Sequence, residues 1–242
     1  MEFSGIKYIL LDIEGTVTPI SFVKDVLFVY AREKLVKFLD ENWDNNEDLA
    51  DAVELIIKYS LGEPESPPTD GSKPTLVESV LWQMDRDVKD AGLKKLQSLI
   101  WKDGYYTGQL KSDLYEDVYD ALPAWQARNM PIGIYSSGSV AAQKDLFNYT
   151  KRGSMLRFLS SFHDLTTAGS KLEAASYSKI SDSVGLQPSE ILFLTDVFGE
   201  YTAALAAGMK SVIVLRPGNK PLTETELNQC ITISKFDEIK FL

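Results

Sequence analysis

Two carboxylates lie two residues apart directly after a short apolar run near the amino terminus. The run covers residues 8–11, and Asp12 and Glu14 follow it. An apolar run this short, with β-branched and aromatic members, is typical of a buried strand. A carboxylate can attack phosphorus, and two neighbouring acids can hold Mg²⁺, a cation that prefers oxygen ligands. The pair therefore predicts phosphoryl-transfer chemistry at the end of the first strand.

Three later groups suit the same chemistry, because each follows a predicted strand or begins a predicted helix. Hydroxyl and main-chain N–H groups of a Ser-Ser-Gly turn can bind phosphate oxygens, and a lysine ammonium can neutralise the charge that develops. Each group alone is more often an ordinary turn, helix cap or surface residue, so the interpretation depends on the complete set. The groups are Ser136, Ser137 and Gly138 after the run 131–135, Lys171 at the start of a helical pattern that ends at residue 184, and Asp196 after the run 191–194.

The elements that must position these groups form an α/β pattern. From about residue 117 strands alternate with helices, which favours a mostly parallel sheet with right-handed crossovers. The carboxyl ends of parallel strands face the same edge of a sheet, so the groups can converge on one crevice. Between the first strand and this region, the apolar residues keep helical spacing for about a hundred residues, interrupted by the proline-rich stretch 62–74, which we expect to be an exposed loop.

The predicted fold is therefore a Rossmann-like, mostly parallel sheet with a helical insertion. Residues 1–18 and 117–242 are expected to form the catalytic α/β core, and residues 19–116 an all-helical cap inserted after the first strand. Such a cap can close the site of its own chain, so we expect a monomer.

Composition excludes several classes of protein. The 242 residues are 44% hydrophobic, enough for a sizeable core, and carry a formal net charge of −10 without a dense Lys/Arg run. This charge argues against binding to nucleic acid or to anionic membranes. A lone cysteine, Cys230, fits a reducing compartment, and we expect neither a signal peptide nor a membrane span. The expected location is the cytoplasm, with the nucleus as a second one.

The ordered set resembles the haloacid dehalogenase superfamily of phosphatases, whose pattern is Asp-x-[Asp/Glu]-Gly-Thr, then a serine after a later strand, a lysine and an acidic cluster. Residues 12–16 read Asp-Ile-Glu-Gly-Thr, with Glu14 where most of these phosphatases have aspartate. Several segments, spread over nearly the whole chain, resemble the enolase-phosphatase family of methionine salvage more closely. These segments are 12–18, 21–27, 96–104, 134–140, 173–177 and 191–197.

The resemblance implies a bifunctional, magnesium-dependent reaction. The phosphorylated small-molecule substrate would be 2,3-diketo-5-methylthiopentyl-1-phosphate, which is enolised and then dephosphorylated, through an aspartyl-phosphate, to 1,2-dihydroxy-3-keto-5-methylthiopentene. One Mg²⁺ per subunit is implied. The implied roles are Asp12 as nucleophile and metal ligand, Glu14 as metal ligand through its carbonyl and as general acid/base through its side chain, Ser136 and Ser137 as phosphate ligands, Lys171 as neutralising cation, and Asp196 as the remaining metal ligand.

Other residues have supporting or open roles. Thr16 and Gly138 are expected to support the loops that carry the reacting groups. Glu200 either orients Lys171 or a metal-bound water, or is a first-turn acid that faces a helix dipole. His163 stands where the family pattern is nearer Phe-Asp-Thr-Thr, and we expect it to be a structural residue at a strand end. Glu14 is our first choice for the enolisation base.

Three alternatives remain at this point. The first is a phosphomonoesterase of the same superfamily that acts on another small metabolite. The same reactive residues would serve in both enzymes, and only the cap would distinguish them. The second is a receiver-like signalling domain phosphorylated on aspartate, but such a domain is about half this length and lacks a helical insertion after its first strand. The third is an inactive phosphatase used as a scaffold, which the presence of every reactive group disfavours.

Overall fold

The computed structural model describes residues 1–44 and 46–242 and contains two compact units. One unit combines Met1–Val23 with Lys111–Leu242, and the other is Lys24–Leu110. The unit boundaries therefore differ by a few residues from the divisions predicted after residues 18 and 116. One reason is that Leu114 is buried in the core of the first unit, which draws the segment before residue 117 into it.

Eight strands form two parallel sheets in the first unit. The main sheet has six strands in the order β4-β3-β2-β5-β6-β7, and β1 pairs with β8 in a separate two-stranded ribbon that the sequence did not predict. The strands are β1 (Glu2–Phe3), β2 (Tyr8–Leu11), β3 (Ile132–Tyr135), β4 (Ser161–His163), β5 (Ile191–Thr195), β6 (Lys210–Val214), β7 (Thr232–Ile233) and β8 (Lys240–Phe241).

Nine α-helices accompany these strands in the described residues. The first four belong to the second unit, and a π-helical turn over Phe22–Leu27 leads into the first of them. The helices are α1 (Phe28–Asn42), α2 (Glu47–Gly62), α3 (Lys73–Asp85), α4 (Ala91–Tyr106), α5 (Glu116–Ala127), α6 (Val140–Asn148), α7 (Ala174–Val184), α8 (Phe198–Ala206) and α9 (Glu224–Leu227).

The predicted mostly parallel α/β fold is confirmed, since every strand pair is parallel. All residues of β2, β3 and β5 are buried, as expected for strands covered by helices on both faces. Strand β2 lies between β3 and β5. The chain first adds β3 and β4 on one side of β2 and later adds β5, β6 and β7 on the other side, so the order of the strands reverses at β2. In an open α/β sheet this switch point is where a ligand crevice opens at the carboxyl edge.

The second unit has a core of its own. Apolar residues of α1 to α4 pack together, among them Leu35, Ile56, Val80 and Leu96. The proline-rich stretch is less open than predicted. Ser66 and Thr69 are buried, and α3 already begins at Lys73.

No helix in the described parts of the chain is long and apolar enough to cross a membrane.

Candidate active site

Asp12 and Lys171 form a buried ion pair at the carboxyl edge of the sheet. Asp12 directly follows β2, and its N–H donates to the carbonyl of Leu194 in the neighbouring strand β5 (2.9 Å). The Lys171 ammonium donates to Oδ1 of Asp12, and both residues are less than 10% exposed. Burial alone would lower the pKa of Lys171, but the charges of Asp12 and Glu200 outweigh it and raise the pKa. Lys171 therefore stays a cation beside the carboxylate.

A second carboxylate, that of Glu200, contacts the same lysine. Glu200 lies in the first turn of α8, and its Oε2 is 2.7 Å from Nζ of Lys171. The hydroxyl of Thr195, the last residue of β5, donates to the same oxygen (2.7 Å). Burial, followed by the charge of Asp12, raises the pKa of Glu200 to about 7. Of the two predicted alternatives for Glu200, the structure supports the contact with Lys171.

Two tyrosines hold the segment that carries Lys171. The hydroxyl of Tyr177 in α7 donates to the Lys171 carbonyl (2.7 Å), and that of Tyr135 at the end of β3 donates to the Gly169 carbonyl (2.9 Å). The prediction that Lys171 begins a helix is wrong. Glu173 has an extended backbone and α7 begins at Ala174, so Lys171 lies in a turn that the tyrosines support.

Asp196 lies beside this pair, immediately after β5. Burial is the main cause that raises its pKa to about 7, and the charges of Asp12 and Glu200 add to it. Its carboxylate also approaches the loop after β2 closely. A Cβ atom on Gly15 would lie 2.4 Å from Oδ2 of Asp196. The structure thus brings Asp12, Lys171, Asp196 and Glu200 into one electrostatic cluster.

The loop over residues 12–18 closes on itself above the strand. The Gly15 N–H donates to the Thr18 carbonyl (2.8 Å), and Gly15 has a left-handed backbone (φ +74°) that favours glycine. The hydroxyl of Thr16, which is predicted to support this loop, is 3.5 Å from Oδ2 of Asp12. Glu14 is exposed on this loop.

The predicted phosphate-binding turn lies at the end of the neighbouring strand. Leu11 in β2 is level with Ile134 in β3, so Ser136 begins its turn one residue beyond the level of Asp12. Ser137 and Gly138 are exposed, and Oγ of Ser136 accepts from the Gly138 N–H (3.3 Å). The turn is braced by Gln143 of α6, whose amide donates to the carbonyls of Gly138 (2.8 Å) and His163 (2.9 Å).

His163 is a structural residue of this edge, as its position at the end of β4 suggested. Its Nε2 lies 2.8 Å from Oγ of Ser161, and its carbonyl accepts from the Ser136 N–H (3.1 Å). Burial lowers the pKa of the His163 imidazole.

The predicted metal ligands suit a hard cation in chemistry and in charge. Within the described residues no three His, Cys, Asp or Glu side chains form a metal cluster. The predicted set requires only two, because Asp12 and Asp196 would use carboxylates and Glu14 its main-chain carbonyl. All three donors are oxygens, the type that Mg²⁺ binds. Burial, followed by the charges of Asp12 and Glu200, raises the pKa of Asp196, and a bound cation would relieve the repulsion among these carboxylates.

Sequence reasoning missed two residues after β6 that contact the loop over 12–18. Asn219 donates to the Gly15 carbonyl (2.9 Å), and Nε of Arg216 donates to the Thr16 carbonyl (3.2 Å). Both residues follow a strand end in the segment Arg-Pro-Gly-Asn at 216–219, and position after a strand is the signal that could have drawn attention to them.

Comparison with protein families places these residues in a known context. The family model described as haloacid dehalogenase-like hydrolase matches residues 6–208. A protein of Xenopus tropicalis named enolase-phosphatase E1 is 41% identical over 98% of this chain and 95% of its own length. The protein of Drosophila persimilis with the same name is 42% identical, again over 98% and 95%.

Solved structures agree with this match. The UTR4 protein of Saccharomyces cerevisiae superposes with a TM-score of 0.77 at 32% identity, covering 96% of this chain and 99% of that one. The CbbY protein of Rhodobacter sphaeroides in complex with phosphate has a TM-score of 0.61 over 98% of this chain and 97% of its own. At 15% identity the second likeness shows the shared fold alone.

Proposed function

The chain belongs to the haloacid dehalogenase-like hydrolases, and we propose that it is the enolase-phosphatase of a methionine salvage pathway. The observation that carries the proposal is the 41–42% identity to enolase-phosphatases E1 over 98% of the chain, which includes both units. The substrate we propose is 2,3-diketo-5-methylthiopentyl-1-phosphate, and the products are 1,2-dihydroxy-3-keto-5-methylthiopentene and phosphate.

In the proposed reaction Asp12 is the nucleophile. A carboxylate oxygen of Asp12 forms a bond to phosphorus while the bond from phosphorus to the substrate oxygen breaks. Lys171, held as a cation between Asp12 and Glu200, neutralises the charge that gathers at phosphorus. Ser136 and Ser137, together with the N–H groups of their turn, bind the phosphate oxygens.

We assign the proton transfers to Glu14. Its side chain protonates the oxygen that leaves phosphorus, and it then takes a proton from the water that cleaves the aspartyl-phosphate and regenerates Asp12. In the earlier enolisation step Glu14 removes a proton from C1 of the substrate, a C=C bond forms between C1 and C2, and the C2 carbonyl oxygen takes a proton from solvent, which leaves Glu14 protonated for its role as acid. Its exposed position on the loop leaves it accessible to substrate and water.

Enzymes of this family are generally metal-dependent. We propose one Mg²⁺ per subunit, held by the Asp12 and Asp196 carboxylates and the Glu14 carbonyl. When bound, it supplies positive charge that offsets repulsion between the Asp12 carboxylate and the phosphate. We further propose a monomer that does not bind nucleic acid, located in the cytoplasm with the nucleus as a second location.

We propose that the second unit, predicted as a cap over residues 19–116, selects the substrate. It has its own core, and the chain enters it a few residues after the loop over residues 12–18, which we call the nucleophile loop because it carries Asp12. Exchange of Lys24–Leu110 for the equivalent unit of a relative with another substrate should change the substrate preference and preserve phosphate release.

A direct assay tests the proposed function. Purified protein with MgCl₂ is given the diketone phosphate, and free phosphate is followed together with the ultraviolet absorbance of the enediol product. We expect both signals to rise together. Release of phosphate from simple esters without action on the diketone phosphate would instead indicate a general phosphomonoesterase of the same family.

A further inference from the structure

The loop after β6 crosses to the nucleophile loop and binds two consecutive carbonyls of it. This loop covers Arg216–Asn219, and the carbonyls belong to Gly15 and Thr16. The partners are about two hundred residues apart in sequence, so these contacts are tertiary and not part of a local turn. Arg216 and Asn219 each donate one side-chain hydrogen bond to this part of the nucleophile loop.

Asn219 fixes the Gly15 carbonyl in a well-defined geometry. Its Nδ2 donates to the carbonyls of Gly15 (2.9 Å) and Val214 (3.2 Å), so one amide group joins the nucleophile loop to the end of β6. Because both neighbours are hydrogen-bond acceptors, the amide must present its nitrogen to them. Its Oδ1 is buried without a hydrogen-bond partner in the described chain and, like the Asp196 carboxylate, lies against Gly15.

Arg216 holds the carbonyl of Thr16, and its own guanidinium is held in place by several other contacts. Its Nη1 and Nη2 donate to the two carboxylate oxygens of Asp117, both at 2.8 Å, and Nη1 also reaches the Ser234 carbonyl (2.9 Å). The guanidinium lies over the Tyr115 ring, 4.2 Å from its centroid. With its other nitrogens held in this way, Nε is aimed at the Thr16 carbonyl (3.2 Å).

We propose that Arg216 and Asn219 are positioning residues for the reaction, an inference that rests on the proposed function of the same site. By holding the Gly15 and Thr16 carbonyls, these two side chains fix the 15–16 and 16–17 peptide planes, which come shortly after Glu14 in the chain. These planes determine where the Glu14 carbonyl and side chain point relative to Asp12 and Asp196. The hydrogen bonds that Arg216 and Asn219 make in the described chain go to other residues than Ser136 and Ser137, so loss of either side chain should lower kcat and cation affinity and change KM little.

The test compares Asn219→Ala with the wild-type protein. We expect kcat for phosphate release from the diketone phosphate and from p-nitrophenyl phosphate to fall about 10- to 100-fold, with KM nearly unchanged. Mg²⁺ affinity, measured by calorimetric titration with MgCl₂ alone, should weaken by a similar factor. Asn219→Gln keeps the donor on a longer side chain and should recover part of both losses. Arg216→Lys keeps the charge opposite Asp117 but loses Nε, and should behave like Asn219→Ala.

Asn228→Ala is the matched control, because Asn228 is exposed at the end of α9. It should retain wild-type kcat and Mg²⁺ affinity. Circular dichroism and thermal unfolding establish that each variant is folded at the assay temperature. The proposal is overturned if folded Asn219→Ala keeps wild-type kcat and Mg²⁺ affinity, or if activity across the series only follows the unfolding temperature. If the wild-type protein acts on neither the diketone phosphate nor p-nitrophenyl phosphate, the proposed function is wrong. The Mg²⁺ titration of the variants then still tests whether Arg216 and Asn219 position the cation site.

Discussion

At the scale of single residues, the site is defined by one lysine shared between two carboxylates. Lys171 contacts Asp12 and Glu200, and Thr195 supports Glu200 from the end of β5. A buried cation with two anionic partners keeps its charge, and it restrains the carboxylate that we propose as the nucleophile. The consequence is a nucleophile whose orientation is set before any substrate binds.

The first prediction concerns Asp12. Asp12→Asn keeps the size of the side chain and removes the anionic oxygen that attacks phosphorus, so phosphate release should fall below about a thousandth of the wild-type rate. The fold should remain, because Lys171 still has Glu200 as a partner. A phosphate-release assay beside a circular dichroism spectrum checks both statements. Asp182→Asn, an exposed position on α7, is the control that should stay active, and undiminished turnover in Asp12→Asn would refute the covalent mechanism.

At the scale of elements, the nucleophile loop depends on a close approach that only glycine allows. Gly15 has φ +74°, and a Cβ there would meet Oδ2 of Asp196 at 2.4 Å. Gly5 has nearly the same backbone conformation (φ +71°) with no atom within 4 Å of its Cβ position. Alanine at Gly5 would therefore show the effect of backbone strain alone, and alanine at Gly15 would show backbone strain together with a steric collision.

The second prediction uses this pair. Gly5→Ala and Gly15→Ala should both lose about 1–2 kcal/mol of unfolding free energy from the left-handed backbone. Gly15→Ala should lose more, because the methyl group displaces Asp196, and its phosphatase activity should largely disappear. Thermal unfolding and kinetics on both variants provide the measurement. Equal stability losses with equal activities would contradict the collision at Asp196.

The carboxyl-terminal segment is joined to α5 by the Arg216–Asp117 pair. Both side chains are largely buried, and Oδ2 of Asp117 also accepts from the Phe236 N–H (2.8 Å). Removal of one partner from such a pair leaves the other charge buried and unpaired, whereas replacement of both by apolar side chains of similar size costs little.

The third prediction follows from this asymmetry. Asp117→Ala should lower the unfolding free energy by about 3–5 kcal/mol, and the double variant Arg216→Met/Asp117→Leu should lose less. Urea unfolding of the two variants tests the difference. Glu224→Ala, at an exposed first-turn position of α9, should lie close to the wild type. A double variant that is the less stable of the two would show that the pair itself contributes net stability.

At the scale of the whole molecule, the crowded carboxylates couple stability to pH and to the cation. Asp196 and Glu200 have pKa values of about 7 in the folded protein, above their ordinary values of 3.8 and 4.5. In metal-free protein the folded state therefore binds more protons than the unfolded state between about pH 4 and 7. The stability that these two groups contribute is complete below that range and is lost as the pH rises through it.

The fourth prediction concerns added magnesium. Because Mg²⁺ must displace protons at low pH, the increase in unfolding temperature that it causes should be large at pH 8 and small at pH 5. The apparent affinity should weaken by about tenfold or more for each pH unit below 7. Thermal unfolding with and without MgCl₂ across this range measures it, and NaCl of matched ionic strength is the control. A stabilisation that does not depend on pH would exclude Asp196 as a ligand of the cation.

Much of the molecule could be predicted from local sequence. The apolar runs that end at Asp12, Ser136 and Asp196 define strand ends, and because all strands of the sheet are parallel, these ends share one edge. Hydrophobic periodicity also indicated the helical insertion, because a helix buried on one face has apolar residues at a regular spacing within a few residues of sequence.

Only the tertiary structure decided the contacts between distant segments. Lys171 meets Asp12 and Glu200, and Arg216 and Asn219 meet the loop after β2, across separations that periodicity does not encode. The β1–β8 ribbon was missed because strands of two residues are too short to produce a pattern. Strand order and side-chain pairing depend on how whole elements pack against each other. The sequence indicated the chemistry of the site residues, and this packing decided the distances and hydrogen bonds between them.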